Sequence, residues 1–185
     1  MIGAVLAGGQ GSRFGGGKPA AVLAGRPMMA YPVEALGAVC SRVAVVCKQG
    51  TSLPSLDGAE RWEEPDEPRH PLTGIVFALE RADGQPVLVC AADMPFVTAD
   101  ACRSLLAAPA KGLEVVAATD GVLQPTFGLY APGALDRLRA APPDARLTDT
   151  VEQLEPARVA FPARLVQSVN TREDLAEAER VLAAA

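Results

Sequence analysis

The sequence predicts a single α/β domain, in which helices cover both faces of a mostly parallel sheet. Short apolar runs rich in β-branched residues recur at Ile2–Leu6, Arg42–Cys47, Val87–Ala91 and Leu113–Ala118. They are too short for helices and continuously apolar, as the strands of a buried parallel sheet are. Stretches with helical start signals alternate with them, which is typical of parallel α/β folds. The 185 residues suit one domain, 1–185, better than two.

Helix start signals support this alternation, because proline at the first turn of a helix loses no needed hydrogen-bond donor. A turn signal at Asp120-Gly121 precedes a further predicted strand at Leu123–Tyr130, and Pro142-Pro143 marks a loop. The predicted helices are Pro27–Val39, Leu72–Ala82 after Pro71, a helix capped by Thr98 that runs to Leu106, and a last helix after the capping box Thr171–Asp174 that ends near Leu182.

Composition excludes several classes of protein. Twenty-two acidic against seventeen basic residues give a net charge of -5, which argues against a nonspecific nucleic-acid binder. No apolar run reaches the roughly 18 residues that a membrane-spanning helix needs. The first residues enter an apolar run without a charged leader, so we expect a soluble, cytoplasmic protein.

Cysteine and histidine give no sign of a metal centre or a catalytic triad. The cysteines Cys40, Cys47, Cys90 and Cys102 lack C-x-x-C spacing, and two of them lie inside apolar runs where a small buried thiol is ordinary. His70 is the chain's single histidine, so a zinc site or a Ser-His-Asp triad would depend on it alone. We therefore expect the cysteines to be structural.

A glycine-rich loop follows the first predicted strand, at the edge where parallel sheets bind ligands. Six glycines lie between residues 8 and 18, together with the cations Arg13 and Lys18. Such a loop can aim several backbone N–H groups at an anion with no side chain in the way. A solvated turn would need fewer glycines, so the loop predicts a triphosphate site.

Two better-known phosphate-binding motifs fit this loop poorly. A P-loop needs glycine and Ser or Thr where Ser12 and Pro19 stand. A dinucleotide fingerprint needs a small residue where Phe14 stands.

Asp93 is the candidate metal ligand. It follows the buried strand predicted at Val87–Ala91, which delivers one carboxylate into the loop at the strand's carboxyl end. Mg²⁺ prefers hard oxygen ligands, and it commonly uses one or two carboxylates with phosphate oxygens and waters for the rest. The alternative is a turn aspartate, since Asp before Met94-Pro95 also suits a turn.

The loop Leu6-Ala7-Gly8-Gly9-x-x-x-Arg13-Phe14-Gly15-x-x-Lys18 resembles the L-A-G-G-x-S-x-R-M-G-x-D-K signature of molybdenum cofactor guanylyltransferases, which belong to the Rossmann-like nucleotidyltransferase superfamily. The run Asp93-Met94-Pro95-Phe96 resembles their D-x-P-[FY] magnesium motif. Weaker similarities lie at His70–Ile75 to G-P-L-A-G-[IL], at Gln124–Thr126 to [HQ]-P-[TL], and at Ser168–Thr171 to N-x-N-[TS]. The chain departs from the signature at Gly17, where the family usually has aspartate, and at Ser12, where the serine is shifted.

The resemblance, which runs from Ile2 to about Leu175, implies a three-layer α/β/α fold with residues in stated roles. The backbone of Leu6, Ala7 and Gly8 would border the base and ribose, with Gly9 in the same nucleotide-binding set. Arg13 and Lys18 would bind the phosphates, and Asp93 would hold Mg²⁺. Glu64 stands where the family usually has an aspartate seven residues before Pro71, although the acidic run around it also fits a solvated loop. Asn170 would lie near the nucleotide.

The resemblance also implies the reaction: transfer of GMP from GTP to a phosphorylated pterin-type acceptor, molybdopterin-bound molybdenum, with release of pyrophosphate. It implies small-molecule substrates, Mg²⁺, no nucleic acid or membrane, and transient contact with proteins that deliver the cofactor. Alternatives are a cytidylyltransferase of the same superfamily, acting on this cofactor, a sugar phosphate or phospholactate, and a nucleotide-binding module without catalysis. The cytidylyl enzymes usually show L-A-A-G where this chain has Leu6-Ala7-Gly8-Gly9.

Overall fold

The computed structural model describes residues 1–9, 14, 18–55, 57–108, 115–142 and 145–184. The strands are β1 (Ile2–Leu6), β2 (Val22–Leu23), β3 (Arg26–Pro27), β4 (Arg42–Lys48), β5 (Ala59–Glu64), β6 (Val87–Ala91), β7 (Val115–Thr119), β8 (Leu123–Tyr130) and β9 (Ala157–Ala160). The helices are α1 (Ala30–Gly37), α2 (Pro71–Arg81), α3 (Ala99–Ala107), α4 (Leu135–Arg139), α5 (Leu147–Glu152) and α6 (Arg172–Ala183), with short 3-10 helices at Lys18–Ala20 and Pro132–Ala134.

Seven of the described strands form one sheet in the order β5-β4-β1-β6-β8-β7-β9. β1 pairs in parallel with β4 and β6, and β4 pairs in parallel with β5. β8 runs antiparallel to both β6 and β7, while β7 and β9 are parallel. The mostly parallel sheet predicted from the sequence is confirmed.

Helices cover both faces of this sheet, because the side chains of its strands alternate between two cores. In β1, Ile2 and Ala4 pack in one core with α2, α4 and α5, whereas Val5 packs in the other with α1 and α3. Ile2, Ala4 and Val5 are all 1% exposed or less. The central strand is therefore buried from both sides, which explains its continuously apolar sequence.

The first predicted helix begins later than expected. Arg26 and Pro27 form β3, which pairs antiparallel with β2 through a two-residue turn at Ala24 and Gly25. Both turn residues have positive φ, 48° and 81°, as short hairpin turns require. The Met28 N–H then donates to the Ala21 carbonyl over 2.8 Å, so the chain enters α1 only at Ala30.

The other helix starts follow the sequence signals. His70 Nδ1 accepts a hydrogen bond from the Leu72 N–H at the start of α2, and Thr98 Oγ1 accepts one from the Ala101 N–H at the start of α3. The predicted capping box is present at the start of α6. The sequence patterns did not predict β5, β9, α4 and α5.

The cysteines behave as structural residues. All four are free thiols; Cys47, Cys90 and Cys102 are buried and Cys40 is partly buried. Burial raises the pKa of Cys40 to about 11 and that of Cys102 to about 12. Since the thiolate is the reactive form, these thiols are inert near neutral pH. In the described part of the chain, no helix is both long and apolar enough to cross a membrane.

Candidate active site

The candidate site lies at the carboxyl ends of the parallel strands, where the sequence predicts it. The chain leaves β1 between the ends of β4 and β6. The Ala7 N–H donates to the Val46 carbonyl over 2.8 Å, and the Leu6 carbonyl accepts from the Ala92 N–H over 3.0 Å. These hydrogen bonds hold the start of the glycine-rich loop between the two neighbouring strands.

The glycine-rich loop belongs only in part to the described residues. Gly8 and Gly9 follow β1, and the Phe14 side chain is buried in a small apolar cluster with side chains of the β2–β3 hairpin and α6. Lys18 opens a short 3-10 helix. Arg13, which the sequence assigns to phosphate, lies outside the described residues.

Lys18 joins two residues that come from distant motifs. Its Nζ donates to Asp93 Oδ2 over 2.6 Å and to Asn170 Oδ1 over 2.9 Å. The side chains of Lys18 and Asp93 are 15% and 21% exposed, so this ion pair is partly solvated. The Val169 N–H donates to the backbone carbonyl of Asp93 over 2.8 Å, which brings the segment before α6 against the loop after β6.

The N-terminus of α6 fixes the backbone of Asn170. Asp174 Oδ2 accepts hydrogen bonds from the N–H groups of Asn170 over 2.8 Å and of Thr171 over 2.9 Å. Thr171 Oγ1 accepts in return from the Asp174 N–H over 3.1 Å. The hydrogen bond from the Asn170 N–H is the main reason that the pKa of Asp174 lies below its usual range. The capping box thus also orders a residue of the site.

Asp93 keeps one oxygen available for a ligand. Its Oδ1 is buried and has no hydrogen-bond partner among the described residues. An unpaired buried oxygen is costly, and Mg²⁺ is a partner suited to a hard carboxylate oxygen. Within the described ranges, no three His, Cys, Asp or Glu residues are grouped so that they could hold a metal. The residues present therefore fit a Mg²⁺ ion that takes its other ligands from phosphate and water.

A second charged pair, Lys48 and Glu64, is buried where β4 and β5 end. The two residues are neighbours in the parallel register, and their side chains are 4% and 3% exposed. Lys48 Nζ lies 3.3 Å from Glu64 Oε1, and it donates to the carbonyls of Pro65 over 2.7 Å and of Pro68 over 2.9 Å. Burial raises the pKa of Glu64, and the nearby Lys48 ammonium acts against that rise.

The Glu64 carboxylate occupies space that a side chain at position 8 would need, so a larger residue there would displace it. A Cβ atom on Gly8 would lie 2.5 Å from Glu64 Oε1, well inside any normal contact. On the other side, a Cβ atom on Gly74 of α2 would lie 3.7 Å from Glu64 Oε2. That second oxygen is buried and has no hydrogen-bond partner in the part of the chain that the structure describes. The carboxylate therefore lies between two glycines with one oxygen unpaired.

One cavity is lined both by the Lys18–Asp93 ion pair and by Glu64. The described residues enclose a volume of about 270 Å³. Glu64 ends β5 and Asp93 follows β6, and β4 and β1 lie between these two strands in the sheet. At about 4.8 Å between neighbouring strands, β5 and β6 lie roughly 14 Å apart. The cavity is lined by Leu6, Ala7, Gly8, Gly9, Lys18, Met28, Glu64, Arg69, His70, Pro71, Gly74, Ala91, Ala92, Asp93, Thr126 and Ser168.

Most residues singled out in the sequence thus lie at this cavity, and Asn170 reaches it through Lys18. Glu64 is in a strand and buried, so the interpretation of its segment as a solvated loop is wrong for this residue. Thr126 lines the cavity, whereas the Gln124 side chain donates to Asp120 Oδ1 over 3.2 Å. Lys48 was not among the predicted site residues, although its position directly after the apolar run of β4, at the ligand-binding edge of the sheet, is a signal for it.

The fold and the site together define a Rossmann-like nucleotidyltransferase. The chain belongs to the MobA-like NTP transferase domain family, whose profile matches residues 3–159.

Known relatives cover nearly the whole chain. It is 32% identical to the molybdenum cofactor guanylyltransferase of Cereibacter sphaeroides over 195 residues, covering 98% of this chain and 97% of that one. It is 33% identical to the probable molybdenum cofactor guanylyltransferase of Deinococcus radiodurans over 183 residues, covering 96% and 93%. Its fold matches the crystal structure of molybdopterin-guanine dinucleotide biosynthesis protein A from Archaeoglobus fulgidus with a TM-score of 0.81, at 24% identity and over 100% of both chains.

Proposed function

We propose that this protein transfers GMP from GTP to a phosphorylated acceptor, the molybdopterin-bound molybdenum cofactor, and releases pyrophosphate. The observation that carries the proposal is a single cavity with two chemically different ends, Lys18 with Asp93 at one and Glu64 at the other. The names of the relatives that match nearly the full chain support the choice of guanine nucleotide and acceptor.

We assign the triphosphate to the end with Lys18. Its ammonium now pairs with Asp93 and Asn170, and it can turn toward phosphate oxygens when a nucleotide is bound. The backbone N–H groups that follow β1 supply further donors, and Arg13 is the second cation that we assign to the phosphates. Neutralising this charge and holding the α-phosphorus in place are the main catalytic tasks of the protein.

We assign Mg²⁺ to Asp93, because its buried Oδ1 lacks a partner among the described residues. When bound, Mg²⁺ supplies charge stabilisation for the triphosphate and for the leaving pyrophosphate. Lys18 has a linked role: it compensates the charge of Asp93 until nucleotide and metal arrive.

We assign the guanine base to the end with Glu64. An ionised carboxylate only accepts hydrogen bonds. Guanine presents N–H donors at N1 and at its 2-amino group along one edge, whereas cytosine presents a lone pair at N3. A site built for one hydrogen-bonding pattern rejects a ligand that leaves its buried groups unpaired. Leu6, Ala7 and Pro71 add apolar surface for the faces of the base.

The transfer needs no covalent enzyme intermediate. An oxygen of the acceptor phosphate bonds to the α-phosphorus, the bond from that phosphorus to the β-bridging oxygen breaks, and pyrophosphate leaves with the electron pair. An ionised acceptor phosphate has no proton to give up, so no general base is required. This agrees with His70, whose Nδ1 is used as a helix cap.

A cytidylyltransferase of the same superfamily is the alternative with the same chemistry. Its L-A-A-G motif would place alanine at position 8, where a Cβ atom would lie 2.5 Å from Glu64 Oε1. Gly8 is the residue that the guanylyl signature has at this position, and it leaves the Glu64 carboxylate in place, so this alternative is disfavoured. A nucleotide-binding module without catalysis is the other alternative, and it would bind GTP without releasing pyrophosphate.

We place the reaction in the cytoplasm, with GTP and the pterin acceptor as small-molecule substrates and with transient contact to the proteins that deliver the acceptor. Neither nucleic acid nor a membrane takes part.

A thermal-shift comparison of GTP, CTP, ATP and UTP, each with Mg²⁺, tests the choice of nucleotide. A ligand at about a hundred times its Kd stabilises a protein by about 2.7 kcal/mol, which for this size raises Tm by roughly 5–10 °C. We expect the largest shift with GTP, and a larger shift with CTP would refute the base assignment. Pyrophosphate release with acceptor and Mg²⁺ then separates an enzyme from a binding module.

A further inference from the structure

Lys48 is held by the protein through its whole ammonium group. Its Nζ has three oxygen neighbours: Pro65 O at 2.7 Å, Pro68 O at 2.9 Å and Glu64 Oε1 at 3.3 Å. An ammonium has three N–H donors, so each can be matched by one acceptor. With its side chain 4% exposed, Lys48 is not a solvated surface cation.

These contacts link Glu64 to the neighbouring wall of the cavity. Pro65 and Pro68 belong to the segment between β5 and α2, which continues into the lining residues Arg69, His70 and Pro71. The Lys48 ammonium therefore connects the end of β4 both to the Glu64 carboxylate and to the segment between β5 and α2.

Glu64 itself has few other restraints. Gly8 and Gly74 leave room for its carboxylate, since a Cβ atom on either would lie within 4 Å of it, and as glycines they have no side chain that could hold it. Its Oε2 has no hydrogen-bond partner among the described residues. Lys48 is thus the described group that orients the carboxylate by charge and hydrogen bonding.

We propose that Lys48 is a positioning residue for base selection, which holds the Glu64 carboxylate ionised and oriented as a pure hydrogen-bond acceptor, so that the site selects guanine. The inference rests on the proposed function, in which Glu64 binds the base.

The electrostatics support this role. Burial raises the pKa of Glu64, and both the charge and the hydrogen bond of Lys48 act against that rise. Without Lys48, burial is unopposed and the pKa of Glu64 rises further, which favours the protonated carboxyl group. A protonated carboxyl donates one hydrogen bond and accepts another. That pattern matches xanthine, which carries an oxygen at C2 where guanine carries an amine.

The test compares the affinities of the variants for GTP and for xanthosine triphosphate (XTP). Lys48→Met removes the ammonium at similar length, and Glu64→Gln replaces the carboxylate by a permanent donor and acceptor. Arg42→Met is the matched control, because Arg42 and Glu60 form an exposed pair, 49% and 45% exposed, on the same two strands and away from the cavity. Kd values are measured calorimetrically with Mg²⁺ from about pH 6 to about pH 8.5, a range that spans carboxyl groups of raised pKa.

We expect Glu64→Gln to raise the ratio of XTP to GTP affinity at every pH, by at least about tenfold over wild type at the same pH. Lys48→Met should raise the ratio of XTP to GTP affinity by a similar factor at the acidic end of the range. As the pH increases and Glu64 ionises, the ratio should return toward the wild-type value. The double variant should match Glu64→Gln alone, since Lys48 acts through Glu64. Arg42→Met should keep the wild-type ratio.

The outcomes separate this inference from the function on which it rests. A shifted ratio in Glu64→Gln with an unchanged ratio in Lys48→Met would leave the base assignment standing and reduce Lys48 to a structural residue. An unchanged ratio in Glu64→Gln would overturn the base assignment and this inference together. If Lys48→Met does not fold, Lys48→Gln, whose amide can still donate to a proline carbonyl, carries the same expectation and the same refutation.

Discussion

Replacing Asp93 by asparagine should slow transfer far more than it destabilises the fold. Asparagine is nearly isosteric and can accept from Lys18 Nζ, which now lies 2.6 Å from Asp93 Oδ2. The hydrogen bond from the Val169 N–H goes to the backbone carbonyl of Asp93, which the substitution leaves in place. Because the Lys18 and Asp93 side chains are 15% and 21% exposed, we treat the pair as partly screened. The expected loss of stability is about 1 kcal/mol or less, or roughly 2–4 °C in Tm.

The chemical step loses a different property of the same carboxylate. The neutral amide no longer offers the ionised oxygen that we assign to Mg²⁺. Removing one preorganised electrostatic group at a reacting centre typically slows the step about 10²–10³-fold, which corresponds to about 2.7–4 kcal/mol. In free energy, the predicted increase in the activation barrier for transfer is therefore at least about twice the predicted loss of folding stability.

The assay is pyrophosphate release at saturating GTP and acceptor across a Mg²⁺ titration, with a melting curve for each protein. Asp136→Asn is the matched control, since that carboxylate is 92% exposed and pairs with Arg139 on the same helix. Turnover of Asp93→Asn close to wild type, with an unchanged demand for Mg²⁺, would show that Asp93 is a turn residue and that the metal is misplaced.

Three further substitutions test separate parts of the account. Lys18→Ala should weaken triphosphate binding and slow transfer while the protein stays folded, and an unchanged affinity for GTP would remove Lys18 from the site. Gly8→Ala should displace the Glu64 carboxylate and lower GTP affinity by about tenfold or more. Gly37→Ala is the control, because there the new Cβ has no described neighbour closer than 3.9 Å. An equal loss of GTP affinity in both variants would refute the reasoning. Asp174→Asn should lower the stability of α6 by about 0.5 kcal/mol at neutral pH, because the amide oxygen can still accept from the Asn170 and Thr171 N–H groups and only the charge at the helix N-terminus is lost. Folding lowers the pKa of Asp174, so the stability that its charge contributes is present above the unfolded pKa and is lost as pH falls through the folded pKa. The difference in Tm between wild type and Asp174→Asn should therefore disappear on acidification. A difference that stays constant with pH would contradict this.

The central part of the fold was predictable because its strands are buried on both faces. Continuous apolar runs identify β1, β4 and β6, and together they define the edge at which Asp93 and the glycine-rich loop lie. β5 was not predictable in this way. It lies at the end of the sheet, and most of its residues are exposed or partly exposed, with Trp62 and Glu64 as its buried side chains. A polar edge strand carries no apolar run, so its sequence resembles a loop.

The pairing of Lys48 with Glu64 depends on information that local sequence does not contain. A lysine after an apolar run is normally expected to reach solvent. Here the parallel register of β4 and β5 places it beside a carboxylate, and the carbonyls of Pro65 and Pro68 complete its hydrogen bonds. The hairpin before α1 was missed for a simpler reason, because its turn at Ala24-Gly25 lacks the Asn-Gly or Asp-Gly pair that predicts such turns.

The most direct test of the central claim supplies the wild-type protein with Mg²⁺, molybdopterin-bound molybdenum and either GTP or CTP. Pyrophosphate release is followed and the product is identified by mass spectrometry. We predict a guanine dinucleotide form of the cofactor, one pyrophosphate released for each GMP transferred, and a kcat/KM for CTP that is lower by about a hundredfold or more. Equal or faster transfer of CMP, or binding of GTP without release of pyrophosphate, would contradict it.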